Sequence, residues 1–196
     1  MPLSSRKPKI VFVVTEDWFL VSHFLPMIEA ARDLDLDVVV VTRVGDHAAR
    51  IAASGARVLP LDSERGSINP LRAASAIARL ALLLRQERPD LVHCIALKGI
   101  LIGGAAARLA GVDRRIYAVT GFGLLGAKAD PSARIARSGL RGIIRGPLES
   151  CGTRYLFENT DDPTLLRLSS AEDRVTIVGG AGVDPAALKP APMPQI

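Results

Sequence analysis

Aromatic side chains make up only 4% of the 196 residues, although 48% of the chain is hydrophobic. Any core must therefore be filled by Val, Leu, Ile and Ala, and there are enough of them to bury one. Cysteine is equally scarce. Cys94 and Cys151 stand far apart, and neither is half of a CxxC pair. That argues against a disulfide framework and against a metal centre, and it agrees with a reducing compartment. Long apolar runs are missing too. The best candidate, 77–84, is interrupted by Arg79 and closed by Arg85. A membrane span needs roughly 18 or more uninterrupted apolar residues. The polar, basic start of the chain (1–9) leads into an apolar run too short and strand-like for a signal peptide. No repeat recurs at solenoid spacing. The formal charge of +5 favours anionic partners, either phosphorylated ligands or an acidic membrane face. No recognition-helix motif or aromatic-interleaved basic patch is present, so nucleic acid is not an expected partner.

What the chain does have is alternation. Strand-like runs fall at 10–14, 37–42, 57–61, 91–94, 115–119, 154–157 and 175–178. Most are apolar on consecutive residues, as when helices cover both faces of a sheet. Helical patterns fall between them at 22–34, 46–54, 70–88, 99–110, 132–151 and 163–168. This predicts an α/β fold with a Rossmann-like, doubly wound parallel sheet and helices on both faces. The domain is expected over 1–178. The Gly- and Pro-rich stretch 179–196 reads as a linker or tail.

The densest chemistry follows the first strand. Thr15 to Pro26 crowds Glu16, Asp17, Trp18, Phe19 and His23 into one turn. Open α/β sheets bind ligands at that edge. Ser22 is a plausible N-cap, which would put His23 in the first turn of the next helix. Neutral His can accept a proton from a hydroxyl, although a helix-start His can also be merely structural. Glu16 and Asp17 can either complement the helix dipole or face a ligand. Trp18 and Phe19 read as a sugar- or lipid-facing wall. His93 ends the central strand, where a buried structural His is the plain alternative. Lys98 is expected just before a helix start, where a cation makes sense beside a bound phosphate. Thr120, Gly121 and Gly123 begin a loop whose glycines at 121, 123 and 126 spell GxGxxG. The dinucleotide fingerprint belongs in the first βαβ unit with an acidic residue about 20 positions later, so its context here is wrong. Arg134, Arg137, Arg141 and Arg145 form a basic stripe on one helix face. That stripe is either a solvated face or a surface for anionic lipid.

Several segments together resemble the N-terminal, acceptor-side half of a GT-B glycosyltransferase of the retaining family 4 type. They are Asp17-Trp18-Phe19, Ser22-His23 and Leu25-Pro26; Arg65 with Asn69-Pro70-Leu71; and Pro89-Asp90-Leu91-Val92-His93 with Lys98. Thr120-Gly121-Phe122-Gly123, Phe157-Glu158-Asn159 with Asp161-Asp162, and Gly182-Val183-Asp184 complete the set. The likeness is greatest to bacterial enzymes acting on undecaprenyl-diphosphate-linked sugars in capsule, O-antigen or glycan assembly. Ile95 departs from the pattern, since many members carry a second His there.

The resemblance implies transfer of a sugar from a nucleotide-sugar donor, UDP-sugar by expectation, to a lipid-diphosphate-linked glycan acceptor. It implies no metal and no cofactor beyond that co-substrate. His23, His93 and Asp17 become candidate catalytic residues. Trp18, Arg65, Asn69, Lys98, Thr120, Gly121, Gly123, Glu158 and Asn159 become acceptor- or phosphate-binding candidates. The expected location is the cytoplasm, peripheral at the inner face of the plasma membrane. Family members carry a second Rossmann-like domain with most donor contacts, and the expectation is that this C-terminal domain is missing here, so that the chain alone is inactive. Two other readings stay open: a non-catalytic acceptor-binding half of a split enzyme, and a nucleotide-dependent oxidoreductase.

Overall fold

The structure is a computed structural model, and it describes residues 6–61, 69–123, 126, 130–180 and 182. Seven strands alternate with helices: β1 (Lys9–Glu16), β2 (Asp37–Arg43), β3 (Arg57–Pro60), β4 (Leu91–Ile95), β5 (Arg115–Val119), β6 (Thr153–Phe157) and β7 (Val175–Ile177). They form one sheet in the order β3-β2-β1-β4-β5-β6-β7. Every pair is parallel. The described helices are α1 (Asp17–His23), α2 (Leu25–Asp33), α3 (Ala48–Ala53), α4 (Pro70–Glu87), α5 (Ala96–Ala110), α6 (Pro131–Arg145) and α7 (Asp162–Leu165).

The consecutive apolar residues of each strand feed two cores. One face presents Val11, Val13, Val39, Val41, Val92, Cys94, Tyr117 and Val119 to Leu80 and Leu84 of α4, Ile100 and Ala106 of α5, and Ile144 of α6. The other presents Ile10, Phe12, Val14, Val38, Val40, Ile95 and Ala118 to α1, α2 and α3 through Leu20, Val21, Phe24, Ile28 and Ile51. α5 lies very close to the sheet because its glycines allow it. A Cβ on Gly103 would come 2.6 Å from Cys94 Sγ, and one on Gly104 would come 2.7 Å from the Tyr117 hydroxyl oxygen. The strand order reverses between β1 and β4. In such sheets the crevice for ligands opens at that switch point, beyond the carboxyl ends of the strands.

The sequence reading needs correction at helix starts. The first helix opens at Asp17 rather than at residue 22, and a break at Phe24 divides it. Pro26 explains the break, because its ring would clash with the preceding turn of a continuous helix. Ser22 is therefore no N-cap; its hydroxyl donates to the Trp18 carbonyl at 2.7 Å. His23 closes α1 instead of opening a helix. Likewise α5 begins at Ala96, so Lys98 lies inside its first turn and not ahead of it. The helix expected over 132–151 ends at Arg145.

Candidate functional site at the carboxyl edge of the sheet

Three of the expected residues come together. His23, Thr120 and Glu158 line one cavity of about 340 Å³, with Phe24, Pro26, Met27 and Ala30 on one side and Ala118, Leu156 and Val178 on the other. α1 and α2 supply the first wall, and the ends of β5, β6 and β7 supply the second. Most of the lining is apolar, with His23, Thr120 and Glu158 as its polar members, the mix common in small-molecule sites. His23 is exposed. Its Nδ1 lies 3.3 Å from the Phe19 carbonyl oxygen. A carbonyl only accepts, so Nδ1 carries the proton in that contact, and the lone pair of a neutral ring sits on Nε2. The Phe19 ring also lies tilted against that of His23, 4.8 Å between centroids, and meets Trp18 edge-on at 5.7 Å. Trp18 is 39% exposed, so this aromatic ridge reaches solvent. The sequence offered no sign that Met27, Ala30 and Val178 share the cavity, because they read as ordinary apolar positions.

Asp17 is placed differently from the expectation. It is only 5% exposed. Its Oδ1 accepts from the Trp18 amide at 2.7 Å. Its Oδ2 accepts from the Gly45 and His47 amides at 2.8 and 3.1 Å. Burial pushes this carboxyl up, but the three backbone donors outweigh it and hold the pKa below the usual value. Both oxygens are thus engaged by backbone, and the carboxylate ties the start of α1 to the loop after β2. A Cβ on Gly45 would sit 3.0 Å from Oδ2, so the loop approaches this closely because residue 45 is Gly. Glu16 accepts from Arg43 at 2.6 Å. Arg43 borders a second recess of about 520 Å³ whose walls include Val41, Leu61, Leu80 and Leu83.

His93 is not among the residues lining the cavity around His23. It is 3% exposed, in the middle of β4, with its ring 5.0 Å from that of Phe12. Burial lowers its pKa to about 4. Among the described residues its Nε2 has no hydrogen-bond partner. The expected acceptor contacts of the two asparagines meet other demands. Asn69 caps α4, its Oδ1 accepting from the Leu71 and Arg72 amides at 2.9 and 3.4 Å. Asn159 holds the turn into α7, its Oδ1 accepting from the Asp161 and Asp162 amides at 3.0 and 2.8 Å. Lys98 is half-buried in α5. Gly121 and Gly123 have φ of +112° and +52°, and a Cβ on either would meet nothing within 4 Å. Conformation, not crowding, calls for glycine there. Arg65 lies outside the described residues, as do Ala181 and residues 183–196 of the expected linker.

The basic stripe is split. Arg145 donates to Glu149 at 2.8 Å and lies over the Tyr155 ring at 5.9 Å. Its charge is turned inward. Arg134 stands exposed on the same helix, with Arg137 and Arg141 half-buried beside it. No described helix is long and apolar enough to cross a membrane. No group of three or more possible metal-ligating side chains occurs among the described residues.

Comparison with known proteins agrees with this architecture. HepE of Anabaena, solved with UDP and glucose, has a TM-score of 0.64 at 12% identity, covering 94% of this chain and 47% of its own. A UDP-N-acetylglucosamine 2-epimerase has a TM-score of 0.62 at 15% identity, covering 89% and 49%. At these identities the likeness shows the fold alone. The N,N'-diacetylbacillosaminyl-diphospho-undecaprenol alpha-1,3-N-acetylgalactosaminyltransferase of Campylobacter jejuni is 22% identical over 164 residues. That match covers 83% of this chain and 43% of the relative. The chain thus spans less than half the length of that curated relative. The family model for glycosyl transferase 4-like proteins matches residues 9–145, and the chain belongs to that family.

Proposed function

We propose that this chain forms the acceptor-side half of a retaining glycosyltransferase, which moves a sugar from a nucleotide-sugar donor, a UDP-sugar, to a sugar linked to a lipid diphosphate. The observation that carries the proposal is the cavity that joins His23, Thr120 and Glu158 over an apolar floor. The relative's printed activity, on a diphospho-undecaprenol-linked sugar, supports the acceptor class. In this reading the acceptor hydroxyl lies against His23 Nε2. The new bond forms from that hydroxyl oxygen to the anomeric carbon, and the bond to the nucleotide diphosphate breaks. The hydroxyl proton passes to Nε2, while Phe19 fixes the ring through Nδ1. Thr120 and Glu158 orient the acceptor ring, and the Trp18–Phe19 ridge gives it an aromatic face. A lipid-linked acceptor places the reaction at the inner face of the plasma membrane.

The described residues build one sheet and so one wall of a cleft. Positioning the donor requires a second wall. With nucleotide sugars and lipid-diphosphate acceptors, the 196-residue chain by itself is expected to give only background. Joined to a donor-side half of the kind its relatives have room for, it is expected to turn over. His23→Ala is then expected to lower kcat by about 100-fold or more, with little change in KM. Unchanged turnover in a folded His23→Ala enzyme would remove the imidazole from the chemistry. Sustained turnover by the chain alone would remove the need for a second half.

A further inference from the structure

Two polar groups in the cavity around His23 have no partner supplied by the fold. Thr120 and Glu158 each stand one residue past a paired strand end, Val119 of β5 and Phe157 of β6. Side chains alternate along a strand, so both fall on the face of the Ala118–Leu156 pair two residues earlier. Neighbouring strands run about 4.8 Å apart, so one small group can reach both side chains. Both are half-buried. Among the described residues, neither side chain makes a hydrogen bond or an ion pair. A carboxylate only accepts hydrogen bonds, whereas a Thr hydroxyl can donate one. Around them the lining turns apolar, with Met27 and Ala30 of α2 on one side and Ala118, Leu156 and Val178 on the other. A fitting ligand must offer a donor to Glu158, an acceptor to Thr120 and an apolar end to the rest. A plain ring hydroxyl meets only part of this. It leaves the apolar lining unfilled, and further hydroxyls placed there would lose their hydrogen bonds to water without replacement. A secondary amide that ends in a methyl group meets all three demands.

We infer that the cavity selects an acceptor sugar bearing an acetamido group. Its N–H donates to Glu158, its carbonyl oxygen accepts from Thr120, and its methyl packs against Leu156 and Val178. The inference rests on this cavity being the acceptor site, and it names the class of sugar that the site prefers. The volume of about 340 Å³ lies at the small end of ligand sites, with room for one such residue. A free amino sugar would pair its ammonium with Glu158, but it would leave Thr120 without an acceptor and the apolar lining empty.

The test titrates the full chain with water-soluble methyl diphosphate esters of N-acetylglucosamine, glucose and glucosamine, and follows its methyl and amide NMR signals. The N-acetylglucosamine ester is expected to shift the methyl signals of Ala118, Leu156 and Val178. It should bind roughly tenfold or more tightly than the glucose ester, since one well-placed methyl group and one added hydrogen bond are each worth about that much. Thr120→Val is expected to cost the N-acetylglucosamine ester about tenfold and the glucose ester little, because a hydroxyl can still donate to Glu158. Thr120→Ser should keep the preference, which separates loss of the hydroxyl from a disturbed loop. Glu158→Ala should weaken the N-acetylglucosamine ester by about tenfold, whereas Glu158→Gln should retain it, because its carbonyl oxygen still accepts the N–H. Equal affinity for the glucose and N-acetylglucosamine esters at these signals would overturn the inference and leave the acceptor reading standing. Tighter binding of the glucosamine ester, or a preference that survives both Thr120→Val and Glu158→Ala, would also overturn it. If none of the esters shifts the signals of the cavity, the acceptor reading of this cavity falls, and the inference falls with it.

Discussion

Replacing Asp17 tests the junction that sets the edge of the cavity. The carboxylate accepts three backbone N–H bonds, two of them from residues 28 and 30 positions away. Asp17→Ala removes the acceptor of all three bonds. The Trp18 amide lies in the first turn of α1, where water can replace the bond. The Gly45 and His47 amides sit in a part-buried loop and lose charge-assisted bonds worth about 1.5 kcal/mol or more each. Loss of the negative charge at the helix start adds about 0.5 kcal/mol. The expected destabilisation is therefore about 3.5 kcal/mol, near 10 °C in Tm for a chain of this size. Asp17→Asn should cost about half as much. Its one oxygen can still accept from Gly45 and His47, but its amide then faces the Trp18 N–H.

Denaturant unfolding at several pH values provides the assay. A carboxylate with a lowered folded pKa contributes stability that is present above the unfolded pKa and lost as pH falls through the folded value. Asp17→Ala should flatten that acid limb while leaving the denaturant slope unchanged. Hydrogen exchange at Gly45 and His47 should accelerate, because their amides lose their acceptor. A loss below about 1 kcal/mol, or unchanged exchange at those two amides, would falsify the clamp.

His93 titrates near 4 when folded and near 6.5 when unfolded, so the unfolded chain binds the extra proton between those values. Stability should fall by about 3 kcal/mol as pH drops through that window. His93→Leu should remove the loss and melt at or above the parent at neutral pH, because it deletes a buried nitrogen without a partner. Lower stability at neutral pH would mean that Nε2 is satisfied, and loss of transfer in a stable variant of the completed enzyme would bring His93 into the chemistry. Glu87 behaves in the opposite sense. Its bond from Arg57, helped by Lys9, outweighs burial and holds its pKa at about 2. Glu87→Gln should lower stability at neutral pH and lose less on acidification from about 4.5 towards 2; equal acid sensitivity in parent and variant would refute this.

The sheet was legible because its strands are buried on both faces and so are written as continuous apolar runs. Boundaries failed where local sequence misleads. Asp-Trp-Phe-Leu-Val reads as a bulky loop, yet Leu20 and Val21 pack beneath it and draw it into α1. α5 starts at Ala96, whose φ of +62° marks a sharp turn out of β4 that alanine does not advertise. The site was half legible. His23, Thr120 and Glu158, each expected near the carboxyl edge of the sheet, line one cavity there. The roles of Asp17 and Arg145 were hidden, because each depends on a partner beyond its own element. Gly45 and His47 lie in another βα unit, and Glu149 lies past the helix end. His93 exposes a limit of a different kind, since a histidine near a strand end reads the same whether it faces a ligand or Phe12.

The position of the cavity follows from the strand order itself. From β1 the chain moves outward through β2 and β3, then returns to β4 and moves the other way through β5, β6 and β7. Right-handed crossovers put the helices of the two directions on opposite faces. Hence α1, α2 and α3 cover the first half of one face, while α4 and α5 cover the other face, with Ile144 of α6 packed beside them. On the first face Ala118, Leu156 and Val178 face Phe24, Pro26, Met27 and Ala30 across the cavity. The break at Phe24 has a consequence there. A continuous helix would carry residues 23–27 onward along one axis, whereas the break lets His23 end one helix while Pro26 and Met27 begin the next. One short turn thereby supplies both the polar mouth and an apolar wall. Pro26→Ala, by permitting a continuous helix, should move His23 away from Thr120 and Glu158. In the completed enzyme it should lower kcat more than it lowers stability, and a stable Pro26→Ala enzyme with full turnover would show that the break does not serve the site.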